Sequence, residues 1–217
     1  MRRTSPLTVL LAIVMWLFAS SITPAFAHPH VFVTAKAEVV YDQGRITAIQ
    51  HHWTFDEFYT AMAIQGLDTN NDGIYSREEL AELAKVNIEG LKEFDFFTFA
   101  KLADKKVVFA APLDPWLEHK DGILTLHFKL PLKEPLPADA AGFQFAIYDP
   151  SFFIAFELAK GDAVTLAGAP AGCKITVGQM EETADEKTLT GAMSQSLGSM
   201  GMGSGITKSA AVICGKS

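Results

Sequence analysis

The chain of 217 residues has only two cysteines, Cys173 and Cys214, and its 18 Lys and Arg are outnumbered by 25 Asp and Glu. The first scarcity leaves room for one disulfide at most. In an oxidising compartment so distant a pair reads most simply as a bridge tying the C-terminal strand back to the body, with free or metal-bound thiols as the alternative. The second scarcity sets a formal charge of −7, which makes nucleic acid and anionic lipid headgroups poor partners and favours cations. No G-x-S-x-G elbow, phosphate loop, dinucleotide fingerprint or H-E-x-x-H helix occurs, so no motif supports an enzyme. After the N-terminal apolar run, no second stretch is long enough to span a bilayer.

What is present begins with a leader. "MRRTSPLTVLLAIVMWLFASSITPAFA" opens on two arginines, runs apolar from Leu7 to Phe18 and closes on Ala25-Phe26-Ala27, the pattern of a cleaved secretory signal peptide over 1–27. The apolar run is shorter than the roughly 20 residues of a membrane span. Cleavage there makes His28 the new N-terminus, leaves 190 of the 217 residues as one periplasmic domain over 28–217, and shifts the charge from −7 to −9 through loss of Arg2 and Arg3.

Along that domain, "HVFVTAKAEVVY" and "GRITAIQHHW" alternate on either side of Asp42, Gln43 and Gly44, a β-hairpin signal. With a two-residue turn at Gln43 and Gly44, Lys36 falls opposite His51. The period changes at Thr54, where a Thr54–Glu57 capping box starts a helix with Phe55, Phe58, Tyr59, Met62 and Ile64 on one side. A second helix is expected from Arg77 to Phe94 behind a Ser76–Glu79 capping box. Short strands rich in aromatic and β-branched residues follow, in "FDFFTFAKLAD", "KKVVFAAPLD", "GILTLHFKLPL", "GFQFAIYDPSFFIAFELA" and "AVTLAG". The fold class expected is α+β, mostly β: an antiparallel sandwich-like domain with a helical insertion over 54–95. Residues 181–209, rich in Gly, Ser and Met, read as a flexible loop before a last strand, "AAVICG". Met180, Met193, Met200 and Met202 could ligate copper(I), but a linker that tolerates methionine explains them better.

"DTNNDGIYSREE" has the most specific local spacing. Counted from Asp68, oxygen side chains fall at positions one, three and five (Asp68, Asn70, Asp72), glycine at six (Gly73), serine at nine (Ser76) and glutamate at twelve (Glu79). This is the EF-hand pattern, in which Ile74 offers its carbonyl, Ser76 acts through water and Glu79 supplies two oxygens to calcium. The alternative is an Asp/Asn/Gly turn that binds nothing. No second loop is found, so a structural calcium ion fits better than a sensor.

All six histidines follow the leader. His28 and His30 bracket Pro29 and point to one side of an extended chain, and a free amine at His28 would add a donor for nickel, cobalt, zinc or copper. Pro29 lacks the amide proton that a square-planar amide chelate must lose. His51 and His52 face opposite ways in a strand, so at most one easily serves a given site. For His119 and His127, surface or core packing is the simpler reading.

"HPHVFVTAKAEVVYD", "HHWTFDEFYTAMAIQGLDTNNDGIYSREEL", "LKEFDFFTF", "LTLHFKLPL", "YDPSFFIAFEL" and "VTLAGAPAGCKI" resemble the bacterial family catalogued as domain of unknown function 1007, over nearly all of the chain from His28 to about Val177. The resemblance implies a periplasmic component of an uncharacterised ABC-type transport system, encoded beside nickel/cobalt-type or other inner-membrane metal permeases. It marks His28-Pro29-His30 as a metal contact and brings no fixed ligand set, so His51 and His52 remain candidates. The function expected is an accessory of transition-metal transport that also carries a calcium site. A calcium-stabilised adaptor is the alternative, and a copper-dependent redox protein a lesser one. One sandwich of 190 residues is too small for a two-lobed solute-binding protein.

Overall fold

The computed structural model describes residues 29–140, 142–151, 153–179 and 208–214. The expected leader over 1–27, His28 and all of the Gly/Ser/Met-rich segment but Lys208 and Ser209 therefore lie outside the described residues. Two sheets share one core. The first runs β5 (Leu113–Lys120), β6 (Ile123–Pro137), β2 (Arg45–Phe55), β1 (Val31–Asp42), β8 (Ile154–Leu158), with β9 (Val164–Ala167) also on β1. The second runs β10 (Cys173–Gln179), β11 (Lys208–Cys214), β7 (Phe143–Ile147), β3 (Thr98–Leu102), β4 (Lys105–Val107). Strict alternation builds this arrangement. In β1 every odd residue from Val31 to Tyr41 is buried, and in β6 every even residue from Leu124 to Leu132 is buried.

One expectation about the sheets is corrected. β8 and β9 pair with β1 in parallel, so the first sheet is mixed and not purely antiparallel. The predicted strand "GFQFAIYDPSFFIAFELA" breaks in two, β7 in one sheet and β8 in the other. Buried Asp149 makes the break by accepting from the Ser151 amide and hydroxyl and from the Ile154 amide, at 2.7 to 2.9 Å. A chain that changes sheets there can return alongside β1 in the same direction. Gly168 ends β9 with φ +68°, and a Cβ there would meet the Tyr41 carbonyl oxygen at 3.0 Å.

The helices are shorter than the periodicity suggested. α1 spans Glu57–Ala63 and α2 spans Ala81–Leu91. β2 continues through Phe55, so the cap of α1 is Asp56, whose Oδ1 accepts from the Tyr59 amide at 2.8 Å, and not Thr54. The second capping box forms before α2: Ser76 N donates to Glu79 Oε2 at 2.9 Å and Glu79 N to Ser76 Oγ at 3.2 Å. α2 gives way at Lys92 to a 3-10 segment, Lys92–Phe97, in which Asp95, Phe96 and Phe97 all have positive φ. No strand can run through such backbone, so "FDFFTFAKLAD" yields strand only from Thr98.

Cys173 and Cys214 form the expected disulfide, as direct partners across the β10–β11 ladder. Replacing both with serine is expected to cost about 2 kcal/mol, the low end of the usual range, because the ladder itself holds the two ends together. Urea unfolding of the variant and of the parent measures the difference.

Candidate functional site

A single β-bulge decides what the outer face of the first sheet carries. The turn at Gln43 and Gly44 has both residues at positive φ, as a two-residue hairpin requires. Pairing starts in the simple register, Asp42 with Arg45 and Tyr41 with Ile46, and then shifts by one, so that Val40 faces Ala48. Thr47 is the extra residue, and its hydroxyl donates to the Val40 carbonyl at 3.2 Å. The slip reverses every later side chain of β2. Lys36 therefore pairs with His52, where the unbulged register puts His51. His51 turns into the core and His52 outward.

His51 is fully buried, stacked on Phe128 with centroids 4.7 Å apart and edge-on to Trp53. The Thr98 hydroxyl donates to the Phe96 carbonyl and lies 3.4 Å from His51 Nε2, so Nε2 carries the proton. His51 Nδ1 then keeps a lone pair with no partner among the described residues. Burial, reinforced by His52, pushes the His51 pKa down to about 3. This is a neutral core histidine, separated by the sheet from the face that bears His52.

His52 meets His127. The residues are direct partners between β2 and β6, their rings lie edge to face, and their Nδ1 atoms are 2.6 Å apart. One nitrogen must donate and the other accept, so the neutral pair shares one proton across the gap. Burial lowers the His52 pKa, with Glu38 opposing and Lys36 assisting. Burial also lowers that of His127, assisted by the His52 charge and by Arg77, with Glu118 opposing. Both imidazoles are thus held neutral at pH 7, the state that ligates metals. Around them, Trp116 stacks on His127 at 4.0 Å, Arg77 sits 4.6 Å over the other part of that aromatic stack, and Glu118 Oε2 lies 3.7 Å from His127 Nε2. In the next row the Thr54 and Thr125 hydroxyls are 3.1 Å apart.

The donor set suits a borderline divalent ion. Zinc–imidazole bonds of roughly 2.0–2.1 Å at a tetrahedral angle need nitrogens roughly 3.3 Å apart, so the pair would open slightly as the shared proton gave way to the ion. Among the described residues no group of three or more His, Cys, Asp or Glu side chains forms a metal cluster. Water or another molecule would complete the coordination. His30 is at the far end of β1: its amide donates to the Phe153 carbonyl at 2.9 Å and its ring lies 4.8 Å from that of Phe153. Six residues separate His30 from Lys36, roughly 20 Å at strand rise. His30 and His52 therefore do not form one site. His119 packs edge-on against Tyr75.

The 68–79 loop bonds to itself. Asp68 accepts from the Asp72 and Gly73 amides, Asn70 and Asp72 accept within the loop, and Ile74 donates its amide to Asp72 Oδ1. Glu79 Oε1 accepts from the Thr69 amide and hydroxyl, and Oε2 from those of Ser76, which together hold its pKa down to about 2. Gly73 has φ +78°. A calcium ion would be held by the second lone pairs of these carboxylates, with the Ile74 carbonyl, after Glu79 turned from Thr69 and Ser76 toward the ion.

The sequence reading took His127 as surface or core packing and did not single out Trp116 or Glu118. The available signal was parity: in "LTLHFKL" the leucines and phenylalanine take one face, which leaves His127 on the other with Thr125 and Lys129. Among described residues no helix is long and apolar enough to cross a membrane. A family model described as "Protein of unknown function (DUF1007)" matches residues 13–214. An uncharacterised protein of Haemophilus influenzae is 22% identical over 162 residues, covering 74% of this chain and 76% of that one. An uncharacterised 15.5 kDa protein in the trpE 3′ region of Spirochaeta aurantia is 31% identical over 111 residues, covering 51% of this chain and 74% of that one. A match that runs from residue 13 through the last strand to Cys214 shows that the chain belongs to the DUF1007 family.

Proposed function

We propose that the chain is a periplasmic accessory of a transition-metal transport system of the nickel, cobalt or zinc type, which holds the ion at its histidines and exchanges it with an inner-membrane permease. The observation that carries this reading is the convergence of His52 and His127 Nδ1 at 2.6 Å on the outer sheet face. Two protein ligands fixed on neighbouring strands hold an ion, and the positions left to water let a second protein take it by ligand exchange. His28 and His30 belong to the same proposal as a separate contact at the new N-terminus. The test is to express the chain with its leader, purify it from the periplasm, and measure intact mass and bound metals. A mass starting at His28 with near-stoichiometric transition metal supports the reading. A chain that retains only trace amounts contradicts it.

The second reading is a calcium-stabilised periplasmic adaptor built around an EF-hand-like insertion, with no transition-metal role. It is favoured by the spacing of Asp68, Asn70, Asp72, Ile74, Ser76 and Glu79 and by the left-handed Gly73. At millimolar calcium and extracellular-type affinity, stabilisation is expected to be about 1–2 kcal/mol. Thermal melting with calcium and with chelator measures it, and Glu79→Gln is expected to abolish the difference. Truncation of His28 to His30 separates the readings further, since an adaptor keeps its partner after that cut. A copper-dependent redox role is the least supported of the three.

A further inference from the structure

We infer that Glu118, Trp116 and Arg77 are positioning residues that make His127 the fixed ligand of the pair and His52 the one that changes state when an ion binds. The inference rests on the metal-binding reading above. Among the described residues His127 Nε2 is buried without a hydrogen-bond partner, and the Glu118 carboxylate faces it with Oε2 at 3.7 Å, on a side chain about half exposed. A carboxylate facing one ring nitrogen selects the tautomer with the proton on that nitrogen. For His127 that is Nε2–H, which leaves the Nδ1 lone pair aimed at His52.

The rest follows from the 2.6 Å separation. With His127 Nδ1 as acceptor, His52 Nδ1 must carry the shared proton. When a divalent ion enters, two bonds form, from His127 Nδ1 and from His52 Nδ1. The N–H bond at His52 Nδ1 breaks, and through solvent His52 takes a proton at Nε2, so the neutral pair releases no net proton. His127 keeps its tautomer throughout. Its plane is set from the side by Trp116, stacked at 4.0 Å with an interplanar angle of 12°. Arg77 reaches over the Trp116 ring, while Tyr75, two residues earlier, contacts His119 on the other face of β5. Residues 75–77 therefore clasp the edge strand and hold Trp116 in place.

Zinc titration of the full exported chain, by competition with a chromophoric chelator, tests this together with nitrogen-15 spectra of the histidine rings. Expected are a tenfold or greater loss of affinity in Glu118→Ala, partial rescue by Glu118→Asp, a several-fold loss in Trp116→Leu, and little change in Trp116→Phe. The spectra should show His127 as Nε2–H with and without zinc, and His52 moving from Nδ1–H to Nε2–H. Thermal melting confirms that the variants fold. If zinc binds and His52→Gln and His127→Gln lose it, but the Glu118 and Trp116 variants stay within twofold of the parent, this inference is overturned and the site stands. The same holds if His127 proves to be Nδ1–H. If His52→Gln and His127→Gln bind zinc as the parent does, both fall.

Discussion

Between pH 7 and pH 4 the folded state is expected to lose about 3 kcal/mol of stability through His51 alone. The side chain is fully buried, and its pKa is pushed to about 3 from an unfolded value of 6.5. Within that window the unfolded chain binds a proton that the folded chain refuses, so stability falls as pH falls from about 6.5 and levels off below about 3. The cause is local. The ring lies between Phe128 and Trp53, and among the described residues Nδ1 has no acceptor to take the proton of the charged form, so nothing replaces water there. His52 and His127, also shifted downward, add to the loss with the same sign. Urea unfolding at the two pH values should show the drop in the parent and a much smaller one in His51→Leu. An equal drop in both would mean that acid sensitivity arises elsewhere.

Loss of either member of the outer pair is expected to weaken transition-metal binding about a hundredfold or more, since a two-imidazole chelate becomes a single monodentate contact. His127→Gln and His52→Gln should behave alike and should not add, because each removes the same chelate. His51→Gln should leave affinity unchanged and lower stability. The contrast between neighbours is the informative part: positions 51 and 52 differ by one residue, yet the Thr47 bulge puts one in the core and the other on the face. Zinc titrations of the four proteins measure these differences.

Much of this fold was legible in alternation. The burial of β1 and β6 follows directly from residue pattern, as does the hairpin turn, and the disulfide follows from there being one even pair of cysteines; the strand that begins at Cys173 was not anticipated. Register was not legible past the bulge. Nothing in "GRITAIQHHW" announces that Thr47 is extra, and the simple hairpin register sets Lys36 opposite His51, where the structure sets it opposite His52. The parallel placement of β8 and β9 depends on the chain changing sheets at Asp149, a tertiary event with only a Tyr-Asp-Pro-Ser signal. The helix limits moved because β2 competes for Thr54 and Phe55, and because left-handed backbone at Asp95 to Phe97 stops both helix and strand. In the 68–79 loop the acids bond to their own loop, which the spacing of Asp68, Asn70, Asp72 and Glu79 does not announce.

Anomalous diffraction from crystals of the protein loaded with zinc, collected on either side of the zinc edge, locates the ion. One strong peak is expected between the Nδ1 atoms of His52 and His127, each about 2 Å away, with the two nitrogens moved apart from their present 2.6 Å. A peak placed elsewhere, with the two imidazoles still bonded to each other, would contradict metal binding at this pair.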